Sequence, residues 1–315
     1  MLTIGYFADG PWSHKAIERL VQMEAVKLAF IVPRYDTQDP VLKGWADKLH
    51  IPFIPHENVN QAEFLDTIAA LNADLYVSMS FNQILKPDII EHSPLGFINC
   101  HAGALPFYRG RNPLNWVLIN GEKEFGITAH YVDEGIDTGD IIKQQKYPIG
   151  LDDNYGSLLQ TAISGCADVL LEAIEDIRDH KVNRVKQSSI HAVGTYFGMR
   201  KMGDEILNFA WPSERVFNFV RAIADPGPCA RIFVNDKEFK IHSAELIDDA
   251  PNYIATIGEV CGRSERGCIV KTGTSTVLLT KVSESEGGGY AAPCTPKFRI
   301  GTRFKVMNME NHYVY

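Results

Sequence analysis

Short, wholly apolar runs alternate with longer mixed segments through about residue 150. Thr3–Phe7 (TIGYF), Val26–Val32 (VKLAFIV), Asp74–Met79 (DLYVSM) and Gly96–Asn99 (GFIN) read as strands, and Lys15–Met23, Glu63–Leu71 and Pro87–His92 between them as helices. Strands that are apolar along their whole length and separated by helices belong to a parallel sheet covered on both faces. Ile127–Val132 and Asp140–Gln144 read as later strands of that sheet. From Tyr155, apolar residues recur at 158, 159, 162, 163, 166, 169, 170, 173, 174 and 177, the stripe of one long helix, with Asp152 or Asp153 as its N-cap. After His180 the pattern turns polar, and a linker is expected near 195–205. Beyond it, strands near 229–234, 238–247, 253–260, 267–271 and 276–281, punctuated by Gly, read as a small β-barrel or sandwich. The pattern predicts a doubly wound, mostly parallel α/β domain over 1–200 and a smaller β domain over 205–315.

Composition agrees with two domains. The 315 residues are 45% apolar and 22% charged, which gives each domain material for a core and excludes a disordered chain. The mean hydropathy is −0.12. The scattered charges leave no apparent apolar run of about 18 residues to span a bilayer. Asp9 interrupts the first apolar stretch too early for a signal peptide, so a soluble, cytoplasmic protein is expected. From Lys201 onward there are 14 basic and 14 acidic residues, so the net −8 resides entirely in the first 200. Nucleic-acid binding rests on neutralising phosphates, and nothing here suggests a basic face. The six cysteines form no CxxC pair and read as free thiols; Cys261 and Cys268 have no neighbouring His, so no metal site is expected.

The first strand–helix turn, Phe7-Ala8-Asp9-Gly10-Pro11-Trp12, lacks the glycines that let backbone approach a dinucleotide's pyrophosphate. Chemistry concentrates instead in Ile98–Ile142. Asn99 and His101 leave the end of a strand, where open α/β sheets bind ligands, and two residues apart they face the same side. An amide and an imidazole there can hold an oxyanion and move a proton; they can equally be a hydrogen-bonded structural pair. Cys100 between them should face the other way. Asp137, in a Gly-punctuated loop after a strand, is either a reactive acid or a turn-former.

Taken together, Asn99-Cys100-His101, Leu105-Pro106-Phe107-Tyr108-Arg109-Gly110 and Asp137-Thr138-Gly139-Asp140-Ile141-Ile142 resemble the folate-dependent formyltransferase family. That family includes enzymes acting on glycinamide ribonucleotide, methionyl-tRNA and nucleotide-linked amino sugars. The resemblance implies a Rossmann-like catalytic domain with a C-terminal, OB-like barrel, and 10-formyltetrahydrofolate as co-substrate without a metal. It places Asn99, His101 and Asp137 on the catalytic trio. Phe81, Asn82, Gln83 and Ile84 fall on the stretch that holds the pterin, and Asp133, Glu134 and Ile136 on the loop that closes over it. Gly103-Ala104 departs from the family's Ser-Leu before Leu105-Pro106.

Within the family, residues 108–118, 196–200 and 218–226 are most similar to formyltransferases of nucleotide-linked amino sugars, such as the one in the lipid A aminoarabinose pathway. A surface-glycan precursor is therefore the expected acceptor. Arg109 and Arg111 are candidates for its diphosphate and Trp12 for its sugar or base. Met-tRNA formyltransferases resemble one another in a basic loop after the second strand. Here Pro33–Pro40 holds one Arg against two Asp, which argues against that alternative. A folate-binding regulatory module is the non-enzymatic alternative, and the intact trio speaks against it. The second domain's apolar strands must bury one face each, in the barrel or in a homodimer.

Overall fold

The computed structural model describes residues 1–235 and 237–305, which divide into two compact units. The elements run β1 (Leu2–Ala8), α1 (Gly10–Leu20), β2 (Val26–Pro33), α2 (Pro40–Leu49), α3 (Ala62–Ala69), β3 (Leu75–Met79), α4 (Pro87–Ile90) and β4 (Phe97–His101). There follow β5 (Arg109–Gly110), α5 (Pro113–Ile119), β6 (Glu124–Tyr131), β7 (Ile141–Pro148), α6 (Tyr155–Arg178), α7 (Gln187–Ile190) and β8 (Tyr196–Phe197). The last are α8 (Ser213–Ala222), β9 (Ala230–Val234), β10 (Lys237–Leu246), β11 (Val260–Ser264), β12 (Gly267–Lys271), β13 (Thr276–Glu286) and β14 (Gly289–Tyr290).

The first unit comprises residues 1–113, 124–148 and 159–198. Its sheet has the order β2-β1-β3-β4-β6-β7. The β2, β1, β3 and β4 strands pair in parallel, as their unbroken apolar character predicts; β6 pairs antiparallel with both β4 and β7, so it alone is reversed in a mostly parallel sheet. One face carries an aromatic core of Phe7, Phe30, Phe64, Tyr76 and Phe97. Phe7 lies 4.9 Å from Phe97 and 5.4 Å from Tyr76 between ring centroids, distances at which tilted rings attract.

The α6 helix is the long helix expected, and it is in fact long and apolar enough to cross a membrane, contrary to the reading of the scattered charges. Its stripe is spent otherwise: Ala162, Cys166, Ala167, Val169, Leu170, Ala173 and Ile174 are buried in the protein. The cap also differs from expectation. Asn154, not Asp152 or Asp153, accepts from the backbone N–H of Ser157, while Asp153 takes the Ser157 hydroxyl and the Gly150 N–H. The sequence reading missed α2, whose signal is plain in retrospect: Asp39 accepts from the N–H groups of Val41 and Leu42, and Pro40 follows it.

Of the described residues, the second unit comprises 114–123, 149–158 and those from 199 to 305. Its antiparallel sheet has the order β11-β12-β13-β10-β9, with β14 on β13. Residues 301–305 link the two outer strands: Val260 N–H donates to Thr302 O (2.8 Å), and Lys305 N–H to Phe233 O (3.0 Å). The expected strand at 253–260 is a correction. Residues 251–256 carry no strand, Ile254 is fully exposed, and Gly258 turns the chain at φ 75° before β11 begins. Also unforeseen were α5 and α8; Asn115 on the first donates to Ala222 O at the end of the second (2.6 Å).

Candidate active site

The β4 strand carries the site's first two residues by simple alternation. Phe97 sits in the aromatic core; Asn99 and His101 follow on the same face, where the core gives way to a cavity of about 400 Å³. Cys100 points away, its thiol reaching Cys166 O on α6 (3.4 Å). The cavity lies in the first unit beyond the ends of β3 and β4, and its size falls within the range of small-molecule sites. Phe81, Asn82, Gln83 and Ile84 form one wall, and Asp133, Glu134, Ile136 and Asp137 another. Arg111, His130 and Tyr196 also line it.

The β4–β6 register sets Asn99 directly opposite His130. His130 Nδ1 is 2.7 Å from Tyr131 O, so that nitrogen carries a proton and donates it. In the neutral ring Nε2 then accepts, and it lies 3.3 Å from Asn99 Nδ2. This fixes which end of the Asn99 amide faces His130 and leaves the amide's second N–H for the cavity. Sequence reasoning missed His130. Its alternation with Thr128 in β6 was visible, but not the antiparallel register that brings it to Asn99.

Asp137 joins from the loop after β6. Its φ of 54° is left-handed, a conformation Asp tolerates better than most residues. Asp133 shapes the loop by accepting from Gly135 N–H (3.1 Å) and the Thr138 hydroxyl (2.5 Å). Gly139 is required, because a Cβ there would stand 1.9 Å from Tyr131 O. The Asp137 carboxylate accepts the Gly110 N–H (2.8 Å) and faces His101 Nδ1 at 3.6 Å and His130 Nε2 at 3.5 Å. Burial alone raises its pKa, but the two imidazoles and the Gly110 N–H outweigh burial and hold the carboxyl well below the usual carboxylate range. His101 Nε2 lies 2.7 Å from Tyr108 O. Nε2 therefore carries a proton and donates it to that carbonyl, and in the neutral ring Nδ1, 3.6 Å from the carboxylate, is the nitrogen that can take a proton up.

The structure thus brings Asn99, His101 and Asp137 together and places all seven expected folate-wall residues, with Arg111, on one cavity. Arg109 and Trp12 do not line this cavity. The Arg109 guanidinium donates to Gln187 Oε1 (2.7 and 3.0 Å) and Val193 O (3.1 Å). Trp12 lies half-buried on α1 and is not among the residues lining the cavity.

Residues 10–174 match the family described as formyl transferase, and residues 201–292 match the formyl transferase C-terminal domain. The methionyl-tRNA formyltransferase of Syntrophus aciditrophicus (strain SB) is 33% identical over 244 residues, spanning 77% of this chain and 76% of that protein. That of Halothermothrix orenii is 35% identical over 268 residues, spanning 84% and 83%. Among solved structures, the sugar 3N-formyl transferase WlaRD, with dTDP and 5-N-formyl-THF, superposes with a TM-score of 0.65 at 22% identity, over 89% of this chain and 97% of that one. The N-formyltransferase from Helicobacter canadensis, with folinic acid and dTDP-3-aminofucose, gives 0.65 at 21%, over 89% and 99%. At these identities the structural likeness establishes the fold alone.

Proposed function

The chain belongs to the formyltransferase family, and from that premise we propose that it moves a formyl group from 10-formyltetrahydrofolate to the amine of a nucleotide-linked amino sugar. The acceptor amine attacks the formyl carbon and forms a tetrahedral oxyanion. The free N–H of Asn99 donates to that oxyanion, and loss of one such donor costs about 3–4 kcal/mol of barrier. His101 takes the proton the amine sheds and returns one to the departing folate nitrogen, so the transfer is proton-neutral overall. Asp137 holds the ring and offsets its charge. The walls at 81–84 and 133–136 hold the folate, and Arg111 reaches towards the acceptor's diphosphate.

The choice of acceptor is carried by the segment after β2. Its one basic residue, Arg34, turns inward, donating to Ser80 O (2.7 Å) and pairing with Asp9 (3.6 Å). No cation of this loop is left for a tRNA phosphate. Transfer to methionyl-tRNA is the second reading, favoured by relatives of that name at 31–35% identity. One experiment separates them: the protein and 10-formyltetrahydrofolate are incubated with dTDP- and UDP-linked amino sugars and with charged initiator tRNA, following mass for one added formyl group. Formylation of a sugar nucleotide well above the tRNA supports the proposal. Comparable or faster formylation of tRNA overturns it.

A further inference from the structure

In the second unit, remote in sequence from the trio, three unlike donors meet. Asp225 and Cys229 lie in the turn that leads from α8 to β9, and His242 stands on β10. Cys229 Sγ is 3.6 Å from His242 Nδ1 and 3.7 Å from Asp225 Oδ1. His242 Nδ1 is 2.8 Å from Asp225 Oδ2. We propose that Asp225, Cys229 and His242 bind a divalent cation of the zinc class.

The distances carry the argument. Zinc sits about 2.3 Å from a thiolate sulfur and about 2.0–2.1 Å from an imidazole nitrogen, so tetrahedral ligands stand about 3.5 Å apart. Both sulfur distances already match that edge. The shorter nitrogen–oxygen distance is a hydrogen bond through the Nδ1 proton; when the cation takes Nδ1, the neutral ring carries its proton on Nε2 and donates it to Ser283. The thiol proton is released, since the ligands are thiolate, neutral imidazole and carboxylate. The far side of the ring is prepared: His242 Nε2 lies 2.9 Å from the buried hydroxyl of Ser283, the outer contact that orients a ligating imidazole. Cys229 is buried and held at φ 62°, a left-handed value unusual for a side-chain-bearing residue, with its N–H donating to Ile223 O (2.8 Å). Asp225 is exposed and leaves the fourth position to water. Soft sulfur with nitrogen selects zinc or cobalt over magnesium or calcium. A spacing of four and thirteen residues is no known sequence signature, which is why the cysteine pattern pointed to no site.

The test uses the full chain, reduced, freed of metal by a chelator and titrated with Zn²⁺ or Co²⁺ alone. One equivalent should bind, Zn²⁺ should raise the melting temperature, and Co²⁺ should give a sulfur-to-cobalt charge-transfer band. Cys229→Ser should abolish the band, and His242→Gln and Ser283→Ala should each weaken binding about tenfold or more, with formyl transfer unchanged. Cys261→Ser and Cys294→Ser, which alter exposed thiols, should change nothing. A wild-type chain that neither retains Zn²⁺ nor gains stability from it refutes the site, as does a cobalt band that survives Cys229→Ser. Should Cys229→Ser not fold, Ser283→Ala carries the test.

Discussion

Asp137→Asn removes one charge and little else. Asn accepts the Gly110 N–H as Asp does, and it is the other residue that tolerates the left-handed φ of 54°. What disappears is a negative charge 3.6 Å from His101 and 3.5 Å from His130. At an effective dielectric of about 20, opposite unit charges at that distance attract by about 4 kcal/mol. Some of this is screened at the cavity mouth, so about 3–4 kcal/mol of support for a protonated His101 should be lost, or roughly 10²- to 10³-fold in kcat. The assay is formyl transfer to a sugar nucleotide across pH, with KM for 10-formyltetrahydrofolate measured in parallel. The expected result is a large fall in kcat, a displaced pH profile and little change in that KM. A variant within about threefold of wild type with an unmoved profile would show that Asp137 only shapes its turn.

Because the carboxyl of Asp137 titrates lower in the folded chain than in the unfolded one, its stabilising contribution is present above the unfolded value near 3.9 and is lost as pH falls below it; Asp137→Asn should flatten the acid limb of a urea-melt series below about pH 4, and an unchanged limb would contradict the assignment. His130→Gln should lower kcat about tenfold or more by loosening Asn99, with KM for folate held; equal losses in both would point to general disruption of the cavity. In the second unit, the buried Lys271 donates to the carbonyls of Thr272, Thr274 and Ser275 (2.7, 2.9 and 3.3 Å). Lys271→Met should therefore cost about 1–3 kcal/mol in denaturant unfolding by removing the donor to the Thr272 carbonyl, while the carbonyls of Thr274 and Ser275 keep the N–H groups of Tyr253 and Thr272, and a loss below about 0.5 kcal/mol would mean water replaces the amine.

The legible part of this protein was whatever depends on local pattern. Unbroken apolar strands announced the parallel sheet, and alternation alone set Asn99 and His101 on one face with Cys100 on the other. Pairing between distant segments was not legible, because nothing in Ile127–Val132 states which residue of β4 each will oppose. His130 was missed for that reason, and so was the cluster of Asp225, Cys229 and His242. For a related reason the sequence did not show that Arg109 bonds Gln187, 78 residues away. Tyr253 and Ile254 misled by composition, since an apolar β-branched run reads as a strand even where it lies outside the sheet.

The β4–β6 pairing also bears on how such an enzyme can change its trade. The cavity residues Asn99, His101 and His130 ride on adjacent strands, locked by ladder bonds, while the 22 residues from Ala102 to Lys123 leave and return between those strands. Insertions, deletions or exchanges in that excursion need not shift the register, provided Gly110 still meets Asp137. The same chassis can thus accumulate new acceptor contacts one mutation at a time without passing through an inactive ancestor. A strand slipped by a single residue has no such gradual path, since it turns every one of these side chains to the opposite face at once. Divergence should concentrate in the excursion outside Leu105–Gly110, whose Tyr108 carbonyl and Gly110 N–H meet His101 and Asp137, and spare the ladder.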